Sequence, residues 1–198
     1  MNNRDAVVHP AWLRLTHWIN VLAVTLLVLS GWRIYNASPI FHFSFPEQIT
    51  LGGWLGGALL WHFSAMWVLV ANGLVYLVLN LLTGRFRRKF FPLSLKEVVA
   101  DLLAAAKGRL SHADLSVYNA PQKLAYLFIV LDLMLLVASG LAIWKSVQFP
   151  LLRELMGGYD MARVVHFVAM SALLAVLALH LVMVALVPRT LLLMLSGR

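Results

Sequence analysis

The chain contains no cysteine. Without a thiolate it can hold no iron–sulfur cluster, no covalently attached c-type haem and no thiolate-ligated haem. A redox centre on this chain therefore depends on histidine or on a diffusible molecule. Charged residues are also scarce, at 12% of 198 residues, whereas hydrophobic residues reach 62%. This balance lies outside that of soluble domains and indicates an integral membrane protein.

Four apolar stretches are long enough to cross a bilayer as helices. They are Trp12–Ile34, Trp54–Leu82, Leu124–Trp144 and Val164–Val187. The first is too long for a typical signal-peptide core and is interpreted as a retained span. We therefore predict an all-α fold, a single integral membrane domain over residues 1–198 with four transmembrane helices. Between spans two and three, a capping box and helical spacing of apolar residues predict an interfacial amphipathic helix over Ser94–Arg109.

Acidic residues are few, eight against sixteen basic ones, and the net charge is +8. With the N-terminus inside, twelve of the sixteen basic residues fall on the inner face of the membrane. By the positive-inside rule, both termini and the long middle loop of this multi-pass protein are predicted to be cytoplasmic. Because the basic residues flank the apolar spans, they favour contact with the lipid bilayer over binding of nucleic acid.

Four histidines, His17, His62, His166 and His180, lie inside the predicted spans. A polar ring in hydrocarbon is costly, so an intramembrane histidine is a functional hypothesis by default. His166 and His180 are fourteen residues apart on one span. In a helix this spacing separates them by ~21 Å and leaves their directions within ~40° of each other. One helix thus offers a ligand near each face of the membrane.

Depth in the membrane predicts how the histidines pair. His17 and His180 lie near the cytoplasmic face, while His62 and His166 lie near the outer face, so the predicted pairs are His17–His180 and His62–His166. Two such pairs are the arrangement of a cytochrome with two haems stacked across the membrane. The alternatives are that each ring hydrogen-bonds a carbonyl, or that a pair binds zinc, although no carboxylate or thiol accompanies either pair. The remaining histidines, His9, His42 and His112, are interpreted as surface residues.

Two arginines accompany histidines at a spacing of three residues. Arg14 precedes His17 and Arg163 precedes His166, so each shares a helical face with its histidine. Arginine binds carboxylates in a bidentate manner, which suits haem propionates at the membrane edge. The alternative is that each arginine extends its side chain to the membrane interface.

Asp132 is the one carboxylate well inside a span, and either a proton relay or a hydrogen bond to another helix would explain it.

Several further features of the sequence are distinctive: Arg14–Trp18, Gly31-Trp32, Tyr118–Tyr126, Ser139-Gly140, the fourteen-residue histidine spacing and Pro188…Gly197-Arg198. In these features the chain resembles the bacterial four-helix di-haem cytochrome b family, whose members lie in the inner membrane. The family includes cytochrome b561-type proteins and the membrane subunits of nickel–iron hydrogenase, formate dehydrogenase and thiosulfate reductase. The resemblance covers nearly the whole chain and implies that the four histidines are axial ligands of two haem b groups.

The resemblance also implies a quinone site beside the cytoplasmic-side haem, contacted by Asn119 and Gln122. Their amides can hydrogen-bond a quinone carbonyl. Pro121 replaces the glycine expected there, which puts the close approach of the backbone to the ring in doubt. As an alternative, Asn119 caps the helix, with Pro121 in its first turn.

Two histidines on each iron leave no open position for a substrate, so such haems pass electrons. We therefore expect a non-catalytic subunit that carries electrons between an extracytoplasmic or membrane-associated oxidoreductase subunit and a quinone, either ubiquinone or menaquinone. The first alternative is a stand-alone superoxide:quinone oxidoreductase of the small cytochrome b561 type. The second is a haem-free membrane anchor.

Overall fold

The computed structural model describes residues 9–85, 99–100, 103 and 120–197, with side chains described from residue 123 onward in the last range. Most of the predicted amphipathic helix Ser94–Arg109 lies outside these residues; Val99, Ala100 and Leu103 are described, and each is helical. Asn119 and the side chain of Gln122 also lie outside them.

The described secondary structure is helical, apart from turns and loops. The helices are α1 (Ala11–Ala37), α2 (Leu55–Leu82), α3 (Ala120–Trp144), α4 (Pro150–Leu155), α5 (Tyr159–Leu186) and α6 (Arg189–Ser196). Four of them, α1, α2, α3 from Lys123 and α5, are long and apolar enough to cross a membrane. The predicted four-helix transmembrane fold is confirmed, and the ends of the spans differ from the prediction by a few residues, as helix ends commonly do.

The chain divides into two compact units, His9–Leu79 and, in the part that is described, Asn80–Arg198. The first contains α1 and most of α2, called here the first hairpin. The second contains α3, α4 and α5, called here the second hairpin, in which α3 packs along α5. In each hairpin the end closed by the connecting loop is called the loop end, and the opposite end is called the open end.

Both connecting loops lead into their second long helix through a pair of glycines. Gly52 and Gly53 have φ values of 109° and 69°, and Gly157 and Gly158 have 87° and 93°. L-residues with a side chain rarely adopt this left-handed region, whereas glycine does so at little cost. The two pairs therefore let the chain reverse tightly just before α2 and α5.

The fully buried positions of the spanning helices are mostly small residues. In the first hairpin they are Ala23, Ser30, Ala58 and Ala65; in the second they are Ser139, Ala142, Ala162 and Ala169. Many of the large apolar side chains are instead exposed, as expected for helices surrounded by lipid. Small residues allow close approach of helix backbones, which drives helix association in membranes. His62 and His166 each contact one of these buried serines.

Candidate functional site

In the first hairpin, a serine on α1 contacts the predicted ligand His62 on α2. Oγ of Ser30 lies 3.1 Å from Nδ1 of His62. The same Oγ lies 2.6 Å from the carbonyl oxygen of Leu26, one turn earlier on α1. The serine therefore joins its own helix backbone to the histidine ring of the next helix, near the loop end.

The second hairpin repeats this arrangement. Oγ of Ser139 on α3 lies 2.9 Å from Nδ1 of His166 on α5, and 2.7 Å from the carbonyl oxygen of Leu135. His166 follows the glycine pair by eight residues and His62 follows its glycine pair by nine, so both histidines lie about two turns inside their helices.

These contacts assign the tautomer of both rings. A serine hydroxyl has one hydrogen, and in each hairpin the shorter contact gives that hydrogen to a backbone carbonyl. The oxygen then accepts a hydrogen bond from Nδ1–H of His62 or of His166. In a neutral imidazole with a protonated Nδ1, Nε2 carries the lone pair that binds a metal. A hydrogen bond to the nitrogen that does not bind the metal is the usual way in which proteins orient a ligating histidine.

A glycine follows each of these serines and lies against the histidine ring. A Cβ atom built on Gly31 would lie 3.5 Å from Cε1 of His62, and one built on Gly140 would lie 3.5 Å from Cε1 of His166. These are ordinary contact distances, so a methyl group would just fit. Any longer side chain would displace the ring, and the glycines therefore keep the space in which each ring is held.

At the open ends the two hairpins differ. His17 lies on α1, fourteen residues before Gly31, and Tyr76 lies on α2, fourteen residues after His62. In the second hairpin the residue types are exchanged: Tyr126 lies on α3, fourteen residues before Gly140, and His180 lies on α5, fourteen residues after His166. Each hairpin thus carries one predicted ligand near each of its ends. The predicted pairs combine one residue from each unit and remain predictions.

An amide cluster joins the helices of the first hairpin beside His17. Nδ2 of Asn72 on α2 donates to the carbonyl oxygen of Thr16, at 2.7 Å, and to Oδ1 of Asn20, at 2.6 Å. Asn72 is buried. Because Thr16 directly precedes His17 and Asn20 follows it by one turn, this cluster sets the height of His17 relative to α2.

The two predicted propionate ligands differ in surroundings. Arg14 is half-buried on α1, one turn before His17. Arg163 is also half-buried, and its Nη1 lies 4.0 Å from Oδ1 of the exposed Asp160.

Of the histidines interpreted as surface residues, His42 is exposed, His9 is half-buried, and His112 lies outside the described residues.

A buried donor lies next to the glycine of the first hairpin. Nε1 of Trp32 is buried and makes no hydrogen bond to any residue that the structure describes. Its ring stacks on Phe45 of the loop, with 4.7 Å between ring centroids. A buried polar group without a partner is costly. This donor therefore fits a ligand that brings a hydrogen-bond acceptor, such as a carboxylate, to the loop end.

Sequence reasoning missed the residues that orient the rings. Ser30, Ser139 and Asn72 carry no charge and no metal-binding group, so they received no role. A pattern was nevertheless present, since a Ser-Gly pair occurs near the end of the first span and again near the end of the third. Fourteen residues separate His17 from Gly31, as they separate His166 from His180.

The site and the fold together define a class: an integral membrane protein whose helical hairpins carry histidines inside their apolar helices. Residues 8–197 match the family model described as prokaryotic cytochrome b561, and the chain belongs to this family. It is therefore a b561-type membrane haem protein. It is 62% identical over 197 residues, covering all of both chains, to the putative protein-methionine-sulfoxide reductase subunit YedZ1 of Azospira oryzae.

Proposed function

We propose that this chain is the membrane electron-transfer subunit of a protein-methionine-sulfoxide reductase and binds two haem b groups, each between two histidines. The pairs are His17 with His180 and His62 with His166, within one domain over residues 1–198. The observation that carries the proposal is the repeated serine–histidine contact at 3.1 Å and 2.9 Å. It supports His62 and His166 as ligands because Nδ1 of each ring is engaged by a serine, which leaves Nε2 as the nitrogen for the iron.

The residues present fit haem b. The family binds it, and the chain supplies neutral imidazoles, glycines that leave room for them, and a buried donor at Nε1 of Trp32 for a carboxylate. When bound, each haem supplies a one-electron carrier with both axial positions filled. The protein's part is to orient the rings and to exclude water. Arg14 and Arg163 are proposed to bind propionates.

The name of the YedZ1 relative supports a partner that reduces methionine sulfoxide in proteins. That reaction consumes two electrons and two protons, and yields methionine and water. Oxidation of a membrane quinol to quinone releases two electrons and two protons. The two half-reactions balance, so we propose that electrons move from the quinol to the partner subunit, and that Asn119 and Gln122 contact the quinone.

The proposed orientation follows from charge. By the positive-inside rule, the distribution of basic residues supports a cytoplasmic location for the open ends of the hairpins and for both termini. The loop ends then face outward, towards the partner. A reporter active only outside the cytoplasm should give a strong signal when inserted near Phe43 and none when fused to the C-terminus. The reverse pattern would reject this orientation.

The main experiment uses the full chain purified in mild detergent with whatever partner accompanies it. We expect two b haems per chain, reduction of these haems by a quinol analogue, and quinol-dependent reduction of methionine sulfoxide by the complex. Absence of a b-type spectrum would indicate a membrane anchor. Superoxide-driven reduction of quinone by the chain alone would instead support the stand-alone oxidoreductase.

A double variant tests the quinone residues. Replacing Asn119 and Gln122 by leucine should leave both haems but slow their oxidation or reduction by quinone analogues, because each lost hydrogen bond removes ~0.5–1.5 kcal/mol of binding. If these residues only cap the helix, the variant should lose stability and haem together. Normal rates in a fully haem-loaded variant would reject the quinone site.

A further inference from the structure

Asp132 is a buried carboxyl group in the middle of α3. Its side chain is 6% exposed, and its Oδ2 is buried without a hydrogen bond to any described residue. It belongs to the buried stripe of α3 that continues with Ser139 and Ala142, seven and ten residues later. Asp132 therefore lies on the packed face of the helix and not on its lipid face.

The contacts of the second hairpin place Asp132 between the two ligand levels. Ser139 contacts His166, and α3 and α5 run in opposite directions. Asp132 lies seven residues before Ser139 on α3. Because α5 runs in the opposite direction, the residue of α5 at the same level as Asp132 lies seven residues after His166, at Leu173. That level is midway between His166 and His180, ~10 Å along the helix axis from each.

Within the described part of the second hairpin, no fixed positive charge lies at this level. The segment of α5 between His166 and His180 contains no ionisable residue. On the elements packed against α3, the charged groups lie at the loop end: Arg153 bonds Glu154 at 2.6 Å, and Arg163 lies 4.0 Å from Asp160. The titratable groups closest in level on α5 are His166 and His180.

A carboxylate without a positive partner is strongly disfavoured in an apolar interior, whereas the neutral acid is tolerated. The ionised form of Asp132 therefore requires a positive charge that is present only at certain times. A bis-histidine b haem changes its charge by one unit between its ferric and ferrous forms. At ~10 Å and an effective dielectric constant of ~20, such a change alters the proton affinity of a carboxyl group by roughly tenfold.

We propose that Asp132 is a redox-linked proton-binding site within the membrane. Its carboxylate binds one proton from water when an electron arrives at the neighbouring haem, and returns that proton when the electron leaves. A tenfold change in affinity corresponds to uptake of at most about half a proton per electron, so the proton balances part of the charge that the electron brings into the membrane. The inference rests on the proposed haem ligands, and it adds a role for a residue that binds neither iron nor quinone.

The first measurement is the midpoint potential of the haems as a function of pH, made on the purified full chain. Because the reduced state binds the proton more tightly, the wild-type potential should fall as pH rises. Asp132→Asn keeps the size of the side chain but cannot ionise, and it should lose this dependence. The matched control is Glu154→Gln, which removes an exposed carboxyl group of the same unit and should behave like the wild type.

The second measurement is the reduced-minus-oxidised infrared spectrum. A carboxylic-acid carbonyl band should appear on reduction, shift in heavy water and shift again when aspartate is labelled with carbon-13. It should disappear in Asp132→Asn and move in Asp132→Glu. The labelling experiment needs no variant, so it decides the question even if a substitution prevents folding.

The possible failures are distinguishable. If the chain shows no b-type spectrum, both the proposed function and this inference are rejected. If both haems are present but no labelled carbonyl band appears on reduction, or if Asp132→Asn keeps the wild-type pH dependence, the role of Asp132 is rejected and the haem assignment stands.

Discussion

The two helical hairpins are nearly alike at their loop ends and different at their open ends. At the loop ends, each places a serine of its first helix against a histidine of its second, at 3.1 Å and 2.9 Å. Each then places a glycine against the same ring, with equal distances of 3.5 Å from the built Cβ. Two segments with little other similarity thus form the same ligand support, so this support depends on a few small residues.

Away from the loop ends, the two hairpins differ in two ways. The first hairpin carries its histidine on the first helix, at His17, whereas the second carries it on the second helix, at His180. Beside His17, the first hairpin joins its helices through Asn72. Midway between His166 and His180, the second buries Asp132 without a hydrogen-bond partner among the described residues. The comparison indicates that the loop ends hold histidines in equivalent positions, whereas the open ends differ.

The largest expected effect tests whether the loop-end histidines serve one haem. His62→Ala and His166→Ala should each remove the same spectral component and about half of the haem, because one missing axial ligand leaves that iron unsupported. His17→Ala and His180→Ala should remove the other component. His42→Ala, in an exposed loop, is the control and should retain both. Loss of different components in the two loop-end variants would contradict the pairing.

The next effect tests whether the glycines are equivalent. Gly31→Leu and Gly140→Leu should each displace a ring and weaken retention of the loop-end haem, since overpacking costs about 1–3 kcal/mol. The alanine variants should retain it, because a methyl group meets the ring at contact distance. Gly73→Leu is the matched control, since a Cβ on this helical glycine meets nothing within 4 Å. Haem content after detergent washing is the measurement; an effect in one hairpin alone would break the comparison.

A smaller effect concerns the difference between the hairpins. Asn72→Leu removes the donor to Thr16 and Asn20, and such bonds between membrane helices contribute about 0.6–1.7 kcal/mol. On heating, the open-end spectral component should therefore be lost earlier than in the wild type. The loop-end component of the same sample is the internal control. Equal loss of both components would mean that Asn72 stabilises the fold in general and does not position His17.

The smallest expected effect tests whether Ser30 and Ser139 have the same role at the two loop ends. Ser30→Ala and Ser139→Ala should retain both haems but raise the loop-end midpoint potential by roughly 20–60 mV, the equivalent of one hydrogen bond for a one-electron couple. The ligand becomes less basic without its acceptor, so the ferric state is less favoured. Ser171→Ala is the control, since Ser171 bonds only the carbonyl of Phe167 on its own helix. A shift in the control, or in one serine variant only, would contradict the shared role.

The spans and the four intramembrane histidines are predictable from sequence because hydrophobic length and the cost of a buried polar ring are local properties. Ser30 and Ser139 are not, since a serine in a membrane helix ordinarily bonds its own backbone. Their partners lie 32 and 27 residues away. Asn72 has its partners 56 and 52 residues away. Contacts over such separations depend on the helix register, which composition does not reveal.

Asp132 is a further residue whose role cannot be predicted from the sequence alone. Sequence alone leaves a proton relay and an interhelical hydrogen bond as equal explanations. Only the packed structure places the group on the interior stripe and leaves its Oδ2 without a partner among the described residues. The sequence identifies Asp132 as a residue that needs an explanation. The packing supports a proton-binding role over an interhelical hydrogen bond.

The serine–histidine bonds also bear on how the protein is made. Each bond joins the two helices of a single hairpin, and the first hairpin is complete before α3 has been synthesised. Its imidazole can therefore take up its final tautomer as soon as α1 and α2 are inserted. Under the proposed ligation, haem would meet a ring that is already oriented. Delivery of haem, and not the ordering of His62, would then limit assembly of the site.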